Sequence, residues 1–159
     1  MKVVKADLDK AIKAVVADLK GIEHLYPGQY ELLTKLFDEA NIFYTSSTNS
    51  GKTLPGVIFP AVMMQLDRSI YTYPNNPKVL FLTALNSIQL SLIVSLRHLG
   101  IACDSISSDN ASTLLNSELT VFFISPEVLK NSTVTKALLK NRNDFVLKVI
   151  DEAHLGNCN

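Results

Sequence analysis

The apolar positions of the chain alternate between helical spacing and short continuous runs. Steps of three and four with charged residues between them predict an amphipathic opening helix that ends at Gly21, built on Leu8, Ile12, Val15, Val16 and Leu19. A turn at Pro27-Gly28 follows, and residues 30–40 again have helical spacing. The segment 54–66 is apolar, but Pro55, Gly56 and Pro60 weaken the prediction of a helix there, and Pro60 would kink it.

Continuous apolar runs predict buried strands at residues 42–44, 78–83, 101–106, 119–124 and 145–150. Helical stretches are predicted between them, from Asn86 as N-cap to a stop at Gly100, and from Pro126 to Leu139 with a break near Asn131. Residues 107–118 are polar and indicate a loop with one helical turn. Strands that alternate with helices and read as unbroken apolar runs predict an α/β fold with a parallel sheet covered on both faces.

Composition narrows the class of protein. With 159 residues, 47% hydrophobic and 19% charged, the chain has the size and apolar content of one globular domain. Fifteen basic and fifteen acidic side chains give no general attraction to polyanions, so any contact with nucleic acid must be local. The uncharged run 79–96 contains six Ser, Thr, Asn and Gln residues, which favours a strand and a helix over a membrane span.

Cysteine usage indicates the compartment. Cys103 and Cys158 are far apart and have no His or Cys at metal-ligand spacing, so we interpret both as reduced structural thiols. Residues 1–20 contain charges throughout and no secretory apolar core. We therefore expect a nuclear location in a eukaryote and a cytoplasmic one otherwise, with no membrane partner.

A phosphate-binding loop is predicted after the strand at 42–44. The run Ser46, Ser47, Thr48, Asn49, Ser50, Gly51, Lys52, Thr53 fits G-x-x-x-x-G-K-[ST], except that Ser46 replaces the first glycine. In such a loop the backbone N–H groups and the helix N-terminus bind phosphate, Lys52 would contact the β- and γ-phosphates, and Thr53 would bind Mg²⁺. The alternative is a Gly-Lys-Thr tripeptide in an ordinary exposed turn.

An acidic motif follows the last predicted strand. Asp151 and Glu152 would emerge at the carboxyl edge of the sheet, on the side of the phosphate loop. There Asp151 can hold Mg²⁺ through water, and Glu152 can act as the general base that orients the attacking water. A solvated acidic strand end is the alternative interpretation.

Together with the Leu-Tyr-Pro-Gly-Gln segment at 25–29 and the Ser-Pro-Glu-containing segment at 124–129, these motifs resemble the first RecA-like domain of superfamily 2 helicases, and specifically RecQ-type DNA helicases. The resemblance runs from about Leu25 onward, in the motif order of the family. It implies a RecA-like P-loop NTPase fold with a parallel sheet of about five or more strands flanked by helices. Residues 1–24 would form an N-terminal helix and lead-in, and residues 25–159 the ATP-binding domain, truncated after Asp-Glu-Ala-His, with the second RecA-like domain absent.

The resemblance also implies roles for individual residues. Gln29 would read adenine, Lys52 and Glu152 would be catalytic, Thr53 and Asp151 would hold Mg²⁺, and His154 would couple to the second lobe. The ATP-binding set would be Gln29, Ser47, Thr48, Asn49, Ser50, Gly51, Lys52 and Thr53, and the nucleic-acid contacts Thr83, Ala84, Leu85 and Ser125. Each loop also has a simpler interpretation, as a strand end followed by a capped helix.

The predicted function is the ATP-binding lobe of an ATP-dependent RecQ-like DNA helicase. Its cofactors would be ATP and Mg²⁺, and its partners single-stranded or partly duplex DNA and a second RecA-like lobe. Since that lobe would supply the transition-state arginine, we expect this chain alone to bind ATP but to hydrolyse it poorly. The alternatives are an RNA helicase or duplex translocase of the same superfamily, or a non-catalytic binding module that keeps the fold.

Overall fold

A computed structural model describes residues 2–39, 41–42, 44, 51–83 and 86–150, without the side chains of residues 86 and 88. Its helices are α1 (Lys5–Asp18), α2 (Pro27–Asp38), α3 (Thr53–Met64), α4 (Asn86–His98), α5 (Ala111–Leu115), α6 (Pro126–Leu129) and α7 (Ser132–Lys140). Its strands are β1 (Lys78–Leu82), β2 (Cys103–Ser105), β3 (Val121–Ile124) and β4 (Phe145–Ile150). None of these helices is both long and apolar enough to cross a membrane.

The four strands in the described part of the chain form one parallel sheet in the order β2-β3-β1-β4. This confirms the predicted α/β class with a parallel sheet. The described sheet has four strands, where about five or more were expected. The predicted strand at 42–44 is wrong at Ile42 and Tyr44, which lie outside any strand, and Phe43 is outside the described residues. A three-residue apolar run is weak grounds for a strand, because strand formation also needs a hydrogen-bonded neighbour.

Helices cover both faces of the sheet. Alternate residues of β1 and β3 pack with Val57 of α3 and with Ile93 and Leu96 of α4 on one face. On that face the rings of Phe81 and Phe123 stack with centroids 5.1 Å apart. The other face is covered by α5 and α7, and its buried side chains are Ile106, Ala111, Leu115, Phe122, Ile124, Val134 and Phe145. Two-sided burial explains why these strands read as continuous apolar runs.

Helix α3 forms in spite of the residues that weakened its prediction. Pro55 lies in the first turn, where a missing N–H removes no intrahelical hydrogen bond. The helix continues through Pro60 to Met64, and most of its side chains are buried. Gly56 permits close packing, since a Cβ there would lie 3.0 Å from Cζ of Phe81. Tertiary burial of α3 outweighs its poor helix propensity.

Most other boundaries agree with the sequence to within a few residues. Strand β4 has its predicted bounds, and the break near Asn131 is confirmed, because the Asn131 Oδ1 accepts from the Thr133 and Val134 N–H groups at 2.9 and 3.3 Å and caps α7. Two details differ. Pro27 and Gly28 belong to the first turn of α2 rather than to a separate turn, and Asn86 is the first residue of α4 rather than a cap before it.

Cys103 lies in β2 and is a buried free thiol. Burial raises the pKa of this thiol, so the side chain stays protonated and poorly nucleophilic at neutral pH. The prediction of a reduced structural thiol is thus confirmed for Cys103, whereas Cys158 lies outside the described residues.

Two tyrosines attach α1 to the rest of the core. The Tyr71 hydroxyl donates to Asp7 Oδ2 at 2.6 Å and accepts from the Val4 N–H at 3.2 Å. The Tyr30 hydroxyl of α2 donates to Asp9. The buried face of α1, including Leu8 and Ile12, belongs to the same hydrophobic cluster as α2 and α3. The opening helix therefore packs as part of the domain core.

These contacts predict a loss of stability at high pH. The hydrogen bond to Asp9 raises the pKa of Tyr30, and the hydrogen bond to Asp7 raises the pKa of Tyr71, both above the usual 10.0. Because the folded-state pKa is the higher one, this stabilisation is complete below about pH 10 and is lost as pH rises through the folded values. We expect the free energy of unfolding, measured with urea, to fall as the pH rises above about 10. The Tyr30→Phe/Tyr71→Phe variant should lose part of that slope, and an unchanged slope would contradict the assignment.

Candidate functional site

The carboxyl edge of the sheet collects the ends of three strands. Leu82 at the end of β1 is in register with Ile124 of β3 and with Ile150 of β4. Because the strands are parallel, the residues that follow each of them emerge at this one edge.

Helix α3 runs antiparallel to the strands and begins at the same edge. Near the start of α3, Gly56 faces Phe81 and Val149, which are the next-to-last residues of β1 and β4. Near its end, Met64 lines a cavity of about 260 Å³ with Gly100 and Thr120, which precede β2 and β3. The N-terminus of α3 is therefore at the carboxyl edge, and this cavity lies at the opposite end of the helix.

The start of α3 carries the predicted phosphate-binding residues. Lys52 is the N-cap and Thr53 the first helical residue, and both side chains are half-buried. The Leu54 N–H donates to the Gly51 carbonyl at 3.1 Å, and Pro55 has no N–H. The backbone N–H groups of Lys52 and Thr53, the Lys52 ammonium and the Thr53 hydroxyl are thus the groups here that fit a phosphate and its Mg²⁺.

Gln29 joins the segment 25–29 to the phosphate-binding turn. Its side chain is only 6% exposed. The Gln29 Oε1 accepts from the Tyr26 N–H at 2.9 Å, and the Gln29 Nε2 donates to the Gly51 carbonyl at 3.0 Å. Two motifs separated by 22 positions in sequence are therefore in direct contact.

Both the backbone conformation at position 51 and the atoms next to it require glycine there. Its φ of +64° lies in the left-handed region, and a Cβ at this position would overlap the Gln29 Nε2. Gly28 has a close neighbour too, since its Cβ would lie 3.2 Å from the Tyr44 hydroxyl. Glycine is required at Gly51 for the turn that leads into α3.

Sequence reasoning missed two aromatic residues beside this site. Tyr26 precedes α2 and is 65% exposed, and its ring is edge-on to His24 with the two ring centroids 6.5 Å apart. Tyr44 is 40% exposed and contacts the Gly28 position. The Tyr-Pro-Gly-Gln run identified the segment, but its spacing did not indicate which of its groups would face Gly51.

Thr83 and Ser125 lie side by side at the carboxyl edge, where the Thr83 N–H donates to the Ile124 carbonyl at 3.0 Å. The Thr83 carbonyl accepts from the buried Gln89 Nε2 at 3.2 Å, a contact that the sequence did not predict. The Thr83 hydroxyl is buried and has no hydrogen-bond partner within the part of the chain that the structure describes. Among the described residues, it is therefore a buried hydroxyl at this edge whose hydrogen-bonding capacity is unused.

The Ser125 side chain acts within the protein. Its Oγ accepts from the Val128 N–H at 3.4 Å and caps α6. The backbone N–H of Glu127 and the Ser125 hydroxyl stabilise the Glu127 carboxylate and lower its pKa. The interpretation as a strand end followed by a capped helix therefore holds at Ser125, whether or not the loop also contacts nucleic acid.

Nine predicted site residues lie outside the described ranges: Ser47, Thr48, Asn49, Ser50, Ala84, Leu85, Asp151, Glu152 and His154. Their roles stay predictions. Within the described ranges no group of three or more His, Cys, Asp and Glu side chains could hold a metal ion. That finding does not test the predicted pair of Thr53 and Asp151, since Asp151 is not described.

Comparison with known proteins adds no assignment. No protein-family model matches the sequence, and no curated protein matches it.

Proposed function

We propose that this chain is the ATP-binding lobe of an ATP-dependent, RecQ-like DNA helicase. The observation that carries the proposal is the contact between Gln29 and Gly51 at the start of α3. It joins the segment 25–29 to the phosphate-binding turn, 22 positions away in the sequence, at the edge of a parallel sheet where nucleotides bind in α/β folds. An ordinary exposed Gly-Lys-Thr turn would not explain a buried glutamine bonded to it.

The chemistry of the proposal is divided among a few residues. Lys52 and the N–H groups at the start of α3 bind phosphates, and Thr53 and Asp151 hold Mg²⁺, which would neutralise charge on the phosphates. Asp151 and Glu152 directly follow Ile150, which is in register with Leu82 at the same edge. Glu152 would accept the proton of the attacking water.

On the nucleic-acid side, we assign the contact to the loop after β1. The Thr83 hydroxyl has unused hydrogen-bonding capacity in the described part of the chain, whereas the Ser125 hydroxyl caps α6. Hydroxyl and backbone N–H groups at such loops bind the phosphodiester backbone without reading bases. This assignment favours neither DNA nor RNA, and the resemblance of 25–29 and 124–129 to RecQ helicases is what favours DNA.

Binding of a fluorescent ATP analogue with Mg²⁺ tests the nucleotide site. We expect saturable binding by the unaltered chain and an affinity roughly 10- to 100-fold lower for Lys52→Ala, which removes a charged hydrogen-bond donor. Lys13→Ala is the matched control. It removes an exposed lysine from α1, which is not one of the elements that form the candidate site. Equal binding by all three proteins, or no binding by the folded unaltered chain, would contradict the proposal.

A further inference from the structure

A cluster of basic side chains lies on α7 and in the turns at its two ends, outside the candidate nucleotide site. Residues 128–143 contain four of the fifteen Lys and Arg residues of the chain and none of its fifteen Asp and Glu residues. The four exposed cations are Lys130, Lys136, Lys140 and Arg142. Because the whole chain has no net charge, this segment supplies a local positive surface of the kind that contact with a polyanion requires.

Little of this positive charge is compensated within the part of the chain that the structure describes. None of the four cations forms an ion pair with a carboxylate there, and Asp144 pairs with the buried Lys78 instead. Lys130 attracts the Glu127 carboxylate and helps to lower its pKa, after the larger effect of the Glu127 backbone N–H. Helix α5, which shares a buried cluster with α7, has the uncharged sequence Ala-Ser-Thr-Leu-Leu. The cations on α7 and after it are therefore available to an external anion.

The helix holds the cations in a defined arrangement. Lys136 and Lys140 are four residues apart and so lie on one face of α7. The Thr135 hydroxyl of α7 donates to the Leu129 carbonyl at 2.9 Å. This hydrogen bond ties the end of α6, where Lys130 is the C-cap, to α7. A nucleic-acid strand would therefore meet a preformed row of positive charge.

The basic surface is continuous with the carboxyl edge of the sheet. Helix α6 begins directly after Ser125, at that edge, and Lys130 follows within five residues. At the far end of α7, the Asp144 carbonyl accepts from the Lys78 N–H at 2.7 Å, where β1 starts at the opposite edge. The cations thus extend from the loop after β3 along α7, a helix about 13 Å long.

We propose that α7 and the turns at its two ends form a second DNA-binding surface, which binds the phosphodiester backbone without reading bases. This inference rests on the proposed nucleic-acid partner of the lobe and adds a surface to the contact assigned to the loop after β1. Lysine ammonium groups bind phosphates as point charges, so binding here is electrostatic and depends on salt concentration.

Fluorescence anisotropy of a labelled oligodeoxythymidylate, measured at several salt concentrations, tests this surface. Fewer counterions are released when two phosphate contacts are lost. We therefore expect the slope of log K against log salt to be shallower by about 1.4 in Lys136→Gln/Lys140→Gln. At low salt, near 50 mM, the same variant should bind roughly 10- to 100-fold more weakly than the unaltered chain.

Lys10→Gln/Lys13→Gln is the matched control, because it removes the same charge from exposed lysines of α1, a helix that also carries Asp7 and Asp9. Its slope should equal that of the unaltered chain. Equal losses in the two double variants, or no binding of the oligonucleotide by the unaltered chain, would overturn the inference. Binding to phosphatidylserine vesicles without binding to the oligonucleotide would also overturn it, in favour of a membrane surface.

Binding of the fluorescent ATP analogue to the same proteins separates this inference from the nucleotide site. Lys136→Gln/Lys140→Gln should bind the analogue as the unaltered chain does. If the analogue binds and the oligonucleotide affinity is the same in this variant, the DNA surface is wrong and the nucleotide site stands. If the analogue does not bind but the oligonucleotide binds through α7, the nucleotide site is wrong and the DNA surface stands.

Discussion

The Gly51→Ala substitution is expected to destabilise the protein by about 2–5 kcal/mol. An L-residue at a φ of +64° costs about 1–2 kcal/mol. The new Cβ would also overlap the Gln29 Nε2, and displacing that buried amide costs a further ~1–3 kcal/mol. Urea unfolding followed by circular dichroism measures the total. The same variant should lose most of its affinity for Mg²⁺-triphosphate, since the turn before Lys52 would have to shift.

A second glycine separates the two contributions. Gly21 has a φ of +76°, but a Cβ there would have no atom within 4 Å. Gly21→Ala therefore carries the conformational cost without the overlap, and we expect it to lose about 1–2 kcal/mol and to bind triphosphate normally. Equal losses of stability in the two variants would contradict the expected cost of the overlap with Gln29.

The second large effect is expected at the opposite edge of the sheet. Lys78 is the first residue of β1 and its side chain is 2% exposed, with Nζ 3.7 Å from the Asp144 Oδ2. Asp144→Ala would leave the ammonium buried without that carboxylate. Loss of one partner of a fully buried pair costs about 3–5 kcal/mol, and because the Asp144 side chain is 37% exposed we expect about 2–3 kcal/mol.

Removing the charge as well should restore stability. Lys78→Met keeps most of the buried stem, and we expect the Lys78→Met/Asp144→Ala protein to lie within about 1 kcal/mol of the unaltered chain. The surface pair of Glu31 and Lys35, 2.9 Å apart with side chains 65% and 48% exposed, is the matched control. Glu31→Ala should leave the free energy of unfolding nearly unchanged, because an exposed ion pair contributes little to stability. A loss in Asp144→Ala as small as in Glu31→Ala would contradict the assignment.

The sequence predicted those features that depend on local pattern. Continuous apolar runs located the four described strands, with β4 at its observed bounds, because two-sided burial leaves no polar alternation. The side chain of Asn131 caps α7 through its own neighbours along the chain, so the break before that helix was also visible. At the site, the resemblance implied that Gln29 and Gly51 belong to one binding set, and the structure shows these two residues in contact.

The features that the sequence did not reveal depend on contacts between distant residues. The prolines of α3 argued against a helix that burial against β1 and β4 stabilises. The burial of Lys78 and the contact of Gln89 with Thr83 have no counterpart in periodicity, since a polar residue in an apolar run is equally consistent with exposure. The hydrogen bonds of the Gln29 amide to the backbone of Tyr26 and Gly51 were likewise not visible in the sequence.

The sheet order has a consequence for how the chain is made on the ribosome. Helices α1 to α3 are synthesised before any described strand, and they share a cluster of buried side chains that extends from Leu8 to Tyr71. Yet Val57 and Gly56 of α3 pack against strands that are translated later, and β4, the last of these, pairs with β1 at the edge of the sheet. The face of α3 that packs against the sheet therefore stays incompletely buried in the nascent chain until residue 150 has been synthesised. We expect chaperones to bind this helix during translation.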